Sequence, residues 1–120
     1  MHESPKHPAY AAPVTTESQA ALSDDAVEMI AAVFRTIGDG TRIRLMEALN
    51  EQGSATGSGL ADRLGLTQQA VSKQLAALHL AGIVRRRRQG AWVHYELIDW
   101  TPWWLVEQIG AAVAVGDARS

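Results

Sequence analysis

Five polar side chains whose types and spacing could do chemistry lie in a short segment that begins at Thr67. Gln68 and Gln69 follow this potential helix cap directly, and Ser72 and Lys73 come about one helical turn later. A glutamine amide can pair with N6 and N7 of adenine in the major groove of B-form DNA. Hydroxyl and ammonium groups suit contacts to phosphate oxygens, or to a phosphate and a base edge together. The pattern predicts a DNA-contacting helix face, and an ordinary solvated face is the alternative.

A run of basic residues follows this segment and leads into a turn: Arg85, Arg86, Arg87 and Arg88, then Gln89 and Gly90. Side chains alternate along an extended strand, so two arginines are expected on each face. Four guanidinium groups crowded beside a turn need a counter-charge, and a phosphate backbone supplies one. A solvated basic run and an RNA-binding run are the alternatives. RNA is the weaker of these because the deep, narrow groove of an A-form duplex does not admit a helix.

The basic charge is concentrated on this part of the chain although the whole protein carries a net charge of −2. Residues 60–95 hold six basic side chains against Asp62 alone, whereas residues 1–34 and 96–120 are both net acidic. The 120 residues, 47% of them hydrophobic, indicate one domain with a small core that an oligomer would supplement. Composition therefore favours a polyanion-binding module flanked by acidic segments.

Several kinds of site lack the residues they would need. The sequence has no cysteine, which excludes disulfides, thiolate metal sites and thiol redox sensing. No segment approaches the roughly 18 apolar residues of a membrane span, and the N-terminus has no signal pattern, so a cytoplasmic protein is expected. A phosphate-binding loop signature is missing, and spacing alone identifies no Ser, His and carboxylate set. We therefore expect neither an enzyme nor a cofactor.

The elements that must position these side chains belong to one predicted domain over residues 23–116. Residues 1–22 hold three of the four prolines and are predicted to form a flexible arm, and residues 117–120 a short tail. Hydrophobic spacing predicts five helices in the domain, whose expected first residues or caps are Ser23, Thr41, Ser58, Thr67 and Thr101-Pro102. The last helix carries Glu107 as its one charge, which is too apolar for a solvated helix. It requires a partner surface.

The third and fourth helices and the two strands after them are predicted to form a winged helix-turn-helix. The third and fourth helices, joined through Gly65, fit a helix-turn-helix. Val71, Leu75 and Leu78 fall on one side of the fourth helix, so the polar residues from Gln68 to Lys73 should project the other way. From Ile83 onward the pattern predicts two strands, with alternate residues of the second strand on opposite faces: Val93, Tyr95 and Leu97 on one, Trp92, His94 and Glu96 on the other. The predicted fold class is mainly α with a small β-hairpin, a winged helix-turn-helix in the order α-α-α-α-β-β-α.

Three stretches resemble the ArsR/SmtB family of bacterial winged-helix repressors: Asp39-Gly40-Thr41-Arg42, Val71-Ser72-Lys73-Gln74-Leu75, and residues 90–97. The resemblance covers about residues 25–115. It implies a homodimer built from the first and last helices, which binds an imperfect palindrome and releases it when an effector binds. Apolar residues on those two helices are then expected at the interface: Val27, Ile30, Phe34, Trp103, Trp104, Leu105, Ile109 and Val113.

The metal-binding residues of that family are missing from this sequence. Thr56 and Ser58 align with a Cys-x-Cys pair that many members use for thiophilic metals, and hydroxyls cannot replace thiolates for soft ions. A second type of metal site in the family uses Asp and His on the last helix. Here Asp99 takes the likely acidic position, but Thr101 stands where histidine is expected, and residues 102–116 contain no histidine. His2, His7, His79 and His94 show no ligand spacing. We therefore predict no metal site.

Two further alternatives concern ligands and partners. Trp100, Trp103 and Trp104 could line a pocket for an apolar small-molecule effector, although packing explains them better. A winged-helix module used only for protein interaction or dimerisation would not need Arg85 to Arg88. The leading hypothesis is a sequence-specific transcriptional regulator, a repressor, that binds double-stranded DNA as a two-fold dimer.

Overall fold

The computed structural model describes residues 21–119, in which the predicted order of helices and hairpin is present. The elements are α1 (Asp24–Ile37), α2 (Gly40–Gln52), β1 (Ala55–Thr56), α3 (Gly57–Leu64), α4 (Gln68–Leu80), β2 (Val84–Gln89), β3 (Trp92–Leu97) and α5 (Thr101–Arg119). The fold class, mainly α with a small β-hairpin in a winged helix-turn-helix, is confirmed. The predicted flexible arm lies outside the described residues except for its last two positions.

The three strands form one antiparallel sheet in the order β1-β3-β2. Val84 pairs with Leu97 at one end of the hairpin and Gln89 with Trp92 at the other, where Gly90 takes the positive φ of 63° that the turn requires. The predicted two faces of β3 are thereby confirmed. Strand β1 was not predicted, because two residues in a Gly- and Ser-rich break show no alternation.

The core is built from one side of each element of the domain. The largest side chains that are less than 2% exposed are Leu45, Met46, Leu49, Leu60, Val71, Leu75, Leu78, Val84 and Pro102. The predicted core side of α4 is confirmed, since its three apolar residues in this set are at most 1% exposed. Burial of such side chains stabilises the domain by about 1.5 to 3 kcal/mol each. It also fixes which side of α4 remains in solvent.

Two helix caps differ from the prediction. The side chain of Asp39, not Thr41, caps α2, and Thr56, not Ser58, caps α3; each accepts from the backbone N–H three residues later at 3.1 Å. An N-cap residue needs an extended backbone, and both have it, with ψ of 120° and 159°. Thr41 and Ser58 lie inside the first turns of these helices. The caps predicted at Ser23 and Thr67 are confirmed.

The last helix is longer than predicted and begins one residue earlier. Trp104 N–H donates to Trp100 O at 2.9 Å, so Trp100 takes the cap position and Pro102 is the second helical residue. The helix was expected to end at Gly116 but continues to Arg119. The glycines with positive φ lie elsewhere, at the ends of other elements, so Gly116 does not adopt the left-handed conformation that terminates helices. Three of the four residues assigned to a tail are therefore helical.

A helix that crosses a bilayer needs about 20 consecutive, mostly apolar residues. Between residues 21 and 119 no helix is both long and apolar enough to cross a membrane.

Candidate nucleic-acid interface

A tight turn between α3 and α4 sets the position of α4, which we call the recognition helix. Gly65 ends α3 in the left-handed conformation, with φ 66° and ψ 34°. The next residue, Leu66, donates its N–H to Ala61 O at 3.0 Å, which closes the end of α3. Thr67 then opens α4 by accepting from Ala70 N–H at 3.1 Å. A helix-turn-helix of this kind carries its second helix at the protein surface.

The exposed side of the recognition helix carries the polar residues that the sequence pointed to. Gln68, Gln69, Ser72 and Lys73 are all exposed, as is the capping residue Thr67. Residues at i, i+1, i+4 and i+5 share one side of a helix, so the two amides, the hydroxyl and the ammonium form a continuous polar surface. It can donate and accept hydrogen bonds at a base edge while the opposite side remains in the core.

The β2–β3 hairpin, called the wing, separates its four arginines into two pairs. Arg85 lies opposite Glu96 in the sheet register, and Arg87, two residues further along and opposite His94, lies on the same face. Glu96 Oε1 accepts from Arg85 Nε at 2.9 Å, from Arg85 Nη2 at 2.6 Å and from Arg87 Nη2 at 2.9 Å. One carboxylate therefore neutralises part of the charge on this face.

The other two arginines have a different environment. Arg86 and Arg88 are exposed on the opposite face of the wing, across from Tyr95 and Val93. Within the part of the chain that the structure describes, neither has an acidic partner. Their positive charge is thus fully available to an anion. Gln89, the last residue of β2 before the turn, is also exposed.

The Glu96 ion pairs are accessible to solvent and can be exchanged. The arginine side chains are 54% and 55% exposed, against 22% for Glu96. Surface ion pairs of this type contribute only about 0 to 1 kcal/mol. A phosphate that approaches this face could therefore take over one or both arginines at small cost.

A hydrogen-bonded cluster beside the recognition helix was not found from the sequence. Arg42 Nε donates to Gln74 Oε1 at 2.9 Å, and Gln74 Nε2 donates to Asp39 Oδ2 at 3.5 Å. Arg42 Nη1 also donates to the carbonyl oxygens of Arg35 and Thr36, each at 3.3 Å. These partners are up to 35 residues apart, so periodicity gave no signal. The motifs that contain Asp39, Arg42 and Gln74 were visible only through the family resemblance.

A shallow groove lies between the start of α3 and the wing, where the sequence resemblance implies a Cys-x-Cys pair in other members. Thr56 and Ser58 hydroxyls are 3.4 Å apart there, and Asp62, Trp92 and His94 complete the lining. His94 Nδ1 lies 3.4 Å from the Ser54 hydroxyl. Among residues 21–119 the structure brings together no three His, Cys, Asp or Glu side chains that could hold a metal ion.

Large apolar side chains are exposed on both α1 and α5. Five of the predicted interface residues are large apolar side chains that remain substantially exposed: Val27, Ile30, Phe34, Ile109 and Val113. Two more, Trp104 and Leu105, line a groove of about 430 Å³ between the two helices, together with Met29 and Val33. We call these seven residues together the α1/α5 face; four of them, Ile30, Phe34, Trp104 and Leu105, line the same groove.

Trp103 is the exception among the predicted interface residues. It is 8% exposed and belongs to the core of the single chain. Its indole N–H is buried without a hydrogen-bond partner among the described residues. Three tryptophans within five residues give no periodicity from which this inward side chain could be chosen. Trp103 therefore packs inside its own chain, and its predicted place at the dimer interface stays a prediction.

Comparisons with known proteins give a consistent result. Residues 39–86 match the family model described as bacterial regulatory protein, arsR family. An uncharacterised HTH-type transcriptional regulator of Methanocaldococcus jannaschii is 36% identical over 72 residues, which are 60% of this chain and 81% of that protein. The arsenical resistance operon repressor of Escherichia coli is 34% identical over 80 residues, 67% of this chain and 68% of that protein.

A solved structure is similar over most of the chain. The crystal structure of the AntR antimony-specific transcriptional repressor has a TM-score of 0.75 and 26% sequence identity to this protein. The match covers 92% of this chain and 100% of that one. The similarity thus includes α1 and α5 as well as the helix-turn-helix and wing.

Proposed function

Because the chain belongs to the arsR family of bacterial regulatory proteins, we propose that it is a repressor that binds a two-fold DNA operator as a homodimer. The curated relatives are transcriptional regulators, which agrees with the expectation that this protein is not an enzyme. One observation carries the proposal: the polar side of α4 and the arginines of the wing are exposed on a single module, while the opposite side of α4 is buried. This is the arrangement that a duplex would contact.

The recognition helix supplies the contacts to bases. The major groove is wide enough for one α-helix, and the N-terminal residues of a recognition helix contact base edges. Gln68 and Gln69 occupy the first turn of α4. We assign adenine contacts to these two amides, and phosphate or mixed contacts to Thr67, Ser72 and Lys73.

The wing supplies contacts to the phosphate backbone. Arg86 and Arg88 lie on the face without an acidic partner among residues 21–119, so we assign the main phosphate contacts to them. Arg85 and Arg87 are secondary because Glu96 already accepts their hydrogen bonds. Gln89 lies at the turn, where it can contact the duplex beside the arginines. Such contacts position the protein without selecting a sequence.

The α1/α5 face supports a homodimer. An exposed apolar surface with residues such as Phe34, at 51% exposure, and Ile109, at 47%, marks an interaction site. A two-fold dimer through this face would present two recognition helices to successive turns of one side of the duplex, about 34 Å apart. The operator is then a palindrome with half-sites about 10 bp apart from centre to centre.

The signal that releases the operator is proposed to differ from the metal ions of the family. The groove has the hydroxyls of Thr56 and Ser58 in place of thiolates. Hydroxyls are poor ligands for soft metal ions. An apolar small molecule is the alternative, bound beside Trp104 in the α1/α5 groove. A ligand that binds there should quench tryptophan fluorescence and weaken DNA binding together. A cytoplasmic location follows from the proposed contact with DNA.

Titration of the purified protein against its own upstream DNA tests the function. We expect nanomolar-range binding that weakens steeply with salt, a symmetrical footprint, and no change when zinc or nickel is added. A monomer on one unsymmetrical half-site would contradict the proposed geometry. Equal affinity for operator and random DNA would contradict sequence-specific regulation.

A further inference from the structure

We propose that Asp39, Arg42 and Gln74 are positioning residues, which hold the recognition helix at a fixed place relative to α1 and so set the separation of the two recognition helices in a dimer. The proposal rests on the two-fold homodimer proposed above. These three residues form a polar cluster whose members are all partly buried. They do not lie on the exposed side of α4 that is assigned to DNA.

Within the cluster, each of the three residues is hydrogen-bonded to the other two. Both halves of the Gln74 amide are engaged, the oxygen by Arg42 and the nitrogen by Asp39. Asp39 is held in turn by its cap, in which Oδ1 accepts from the backbone N–H of Arg42 at 3.1 Å. Gln74 therefore has one preferred orientation, and it is adjacent in sequence to Lys73 on the exposed side of the same helix.

The same guanidinium reaches the helix that carries the proposed dimer face. Arg42 Nη1 donates to two carbonyl oxygens in the last turn of α1, where a cation also interacts favourably with the helix dipole. Ile30 and Phe34 on α1 belong to the α1/α5 face. One side chain at the start of α2 thus contacts both the helix that faces the partner and the helix that faces DNA.

This bridge matters because α1 and α4 make little direct contact with each other. Their relative position is set through α2, which packs against both. Apolar packing alone tolerates small rotations, whereas a planar guanidinium offers donors in a rigid fork whose hydrogen bonds depend on direction. A shift of α4 against α1 would break the bond to Gln74 or the bonds to the α1 carbonyls.

The test measures operator spacing with Gln74→Met in the full chain. Methionine keeps the length and helix propensity of glutamine but makes neither hydrogen bond. An operator is first selected by the wild-type protein from random duplexes, and one base pair is then inserted or deleted at its centre. We expect wild type to prefer the selected spacing, and Gln74→Met to reduce that preference by about two- to thirtyfold. Discrimination against a base change within a half-site should stay the same.

A matched control and a second variant complete the design. Arg44 is an exposed arginine on α2, the helix that also carries Arg42, and it pairs with Glu47 at 2.9 Å. Arg44→Ala should leave the spacing preference unchanged. Arg42→Lys keeps the charge but cannot donate in the same fork, so it should act like Gln74→Met even if that variant folds poorly.

Three results would overturn the inference in distinguishable ways. Wild-type spacing preference in both cluster variants, or an equal loss of affinity at every spacing together with a lower Tm, would assign the cluster a purely structural role. A wild-type protein that has no spacing preference at all would instead remove the two-fold operator, and with it the basis of the inference.

Discussion

At the scale of single residues, the four arginines of the wing are not equivalent, although the sequence presents them as one run. Arg85 and Arg87 share the carboxylate of Glu96, whereas Arg86 and Arg88 lie on the other face without an acidic neighbour among the described residues. Only a free cation adds its full effect to binding, because each phosphate that it neutralises releases a counterion. The salt dependence of DNA binding should therefore separate the two pairs.

The double variant Arg86→Ala/Arg88→Ala should weaken binding to all DNA and flatten the salt dependence. Each phosphate contact that is lost reduces the slope of log K against log salt concentration by about 0.9. Arg85→Ala/Arg87→Ala is the matched control, with the same loss of charge, and should change the slope less. Titrations at four salt concentrations measure this. Equal slope changes in the two variants would show that Glu96 does not limit its arginines.

A second residue-scale prediction concerns selectivity rather than affinity. Gln69→Ala should reduce discrimination between operator and random DNA by about 1 to 3 kcal/mol, because a bidentate contact to adenine is lost. The salt slope should not change, since no phosphate contact is removed. Gln52→Ala, at an exposed position at the end of α2, is the control. An unchanged ratio of specific to random binding would remove Gln69 from the base-contacting residues.

At the scale of elements, local patterns were sufficient for the recognition helix and the wing. The spacing of Val71, Leu75 and Leu78 determined which side of α4 is buried, and period-two alternation determined the faces of β3. Both patterns depend on a single interface between the element and the core. Where several contacts compete, as in the tryptophan run at the start of α5, the pattern did not distinguish the buried Trp103 from its neighbours.

Helix starts were less predictable than helix sides. Asp39 and Thr41 are both good caps by residue type, as are Thr56 and Ser58, and the choice depends on where the preceding chain becomes extended. The cluster of Arg42 and Gln74 was hidden for a different reason, because its partners are brought together only by packing. Contacts between residues more than 30 positions apart in the sequence can be identified only once the fold is known.

The corrected cap of α3 gives the element-scale prediction. Thr56→Ala should lower the free energy of unfolding by about 1 kcal/mol, because the first turn of α3 loses its side-chain acceptor. Ser58→Ala, two residues later, should change it by less than about 0.5 kcal/mol. Urea unfolding at one fixed protein concentration compares them, since the stability of a dimer depends on concentration. A larger loss for Ser58→Ala would restore the cap that the sequence suggested.

At the scale of the whole molecule, the two functions proposed for the chain occupy different surfaces. DNA contacts are assigned to α4 and the wing, and self-association to α1 and α5. The two surfaces are linked through α2, so a substitution on the α1/α5 face can reduce operator binding without touching DNA. This separation allows the assembly to be tested independently of base contacts.

Phe34→Glu should dissociate the dimer. A buried charge in an apolar interface costs about 2 kcal/mol or more, which corresponds to about a thirtyfold weaker association. Sedimentation should show monomers, and binding to the full operator should fall to the level of a single half-site. Leu80→Glu is the control, because Leu80 is 90% exposed at the end of α4 and outside the α1/α5 face. Dimers of unchanged affinity in Phe34→Glu would place the interface elsewhere.

The carboxylate shared by Arg85 and Arg87 has a consequence for the protein before it meets DNA. A hairpin with four adjacent cations would repel itself, and such a hairpin would be poorly ordered when free. Glu96 acts as a built-in counterion that offsets part of this repulsion in the free protein. If the proposed contact forms, we expect a phosphate to replace that carboxylate, much as DNA gives up its own condensed sodium, so that both partners exchange a counterion.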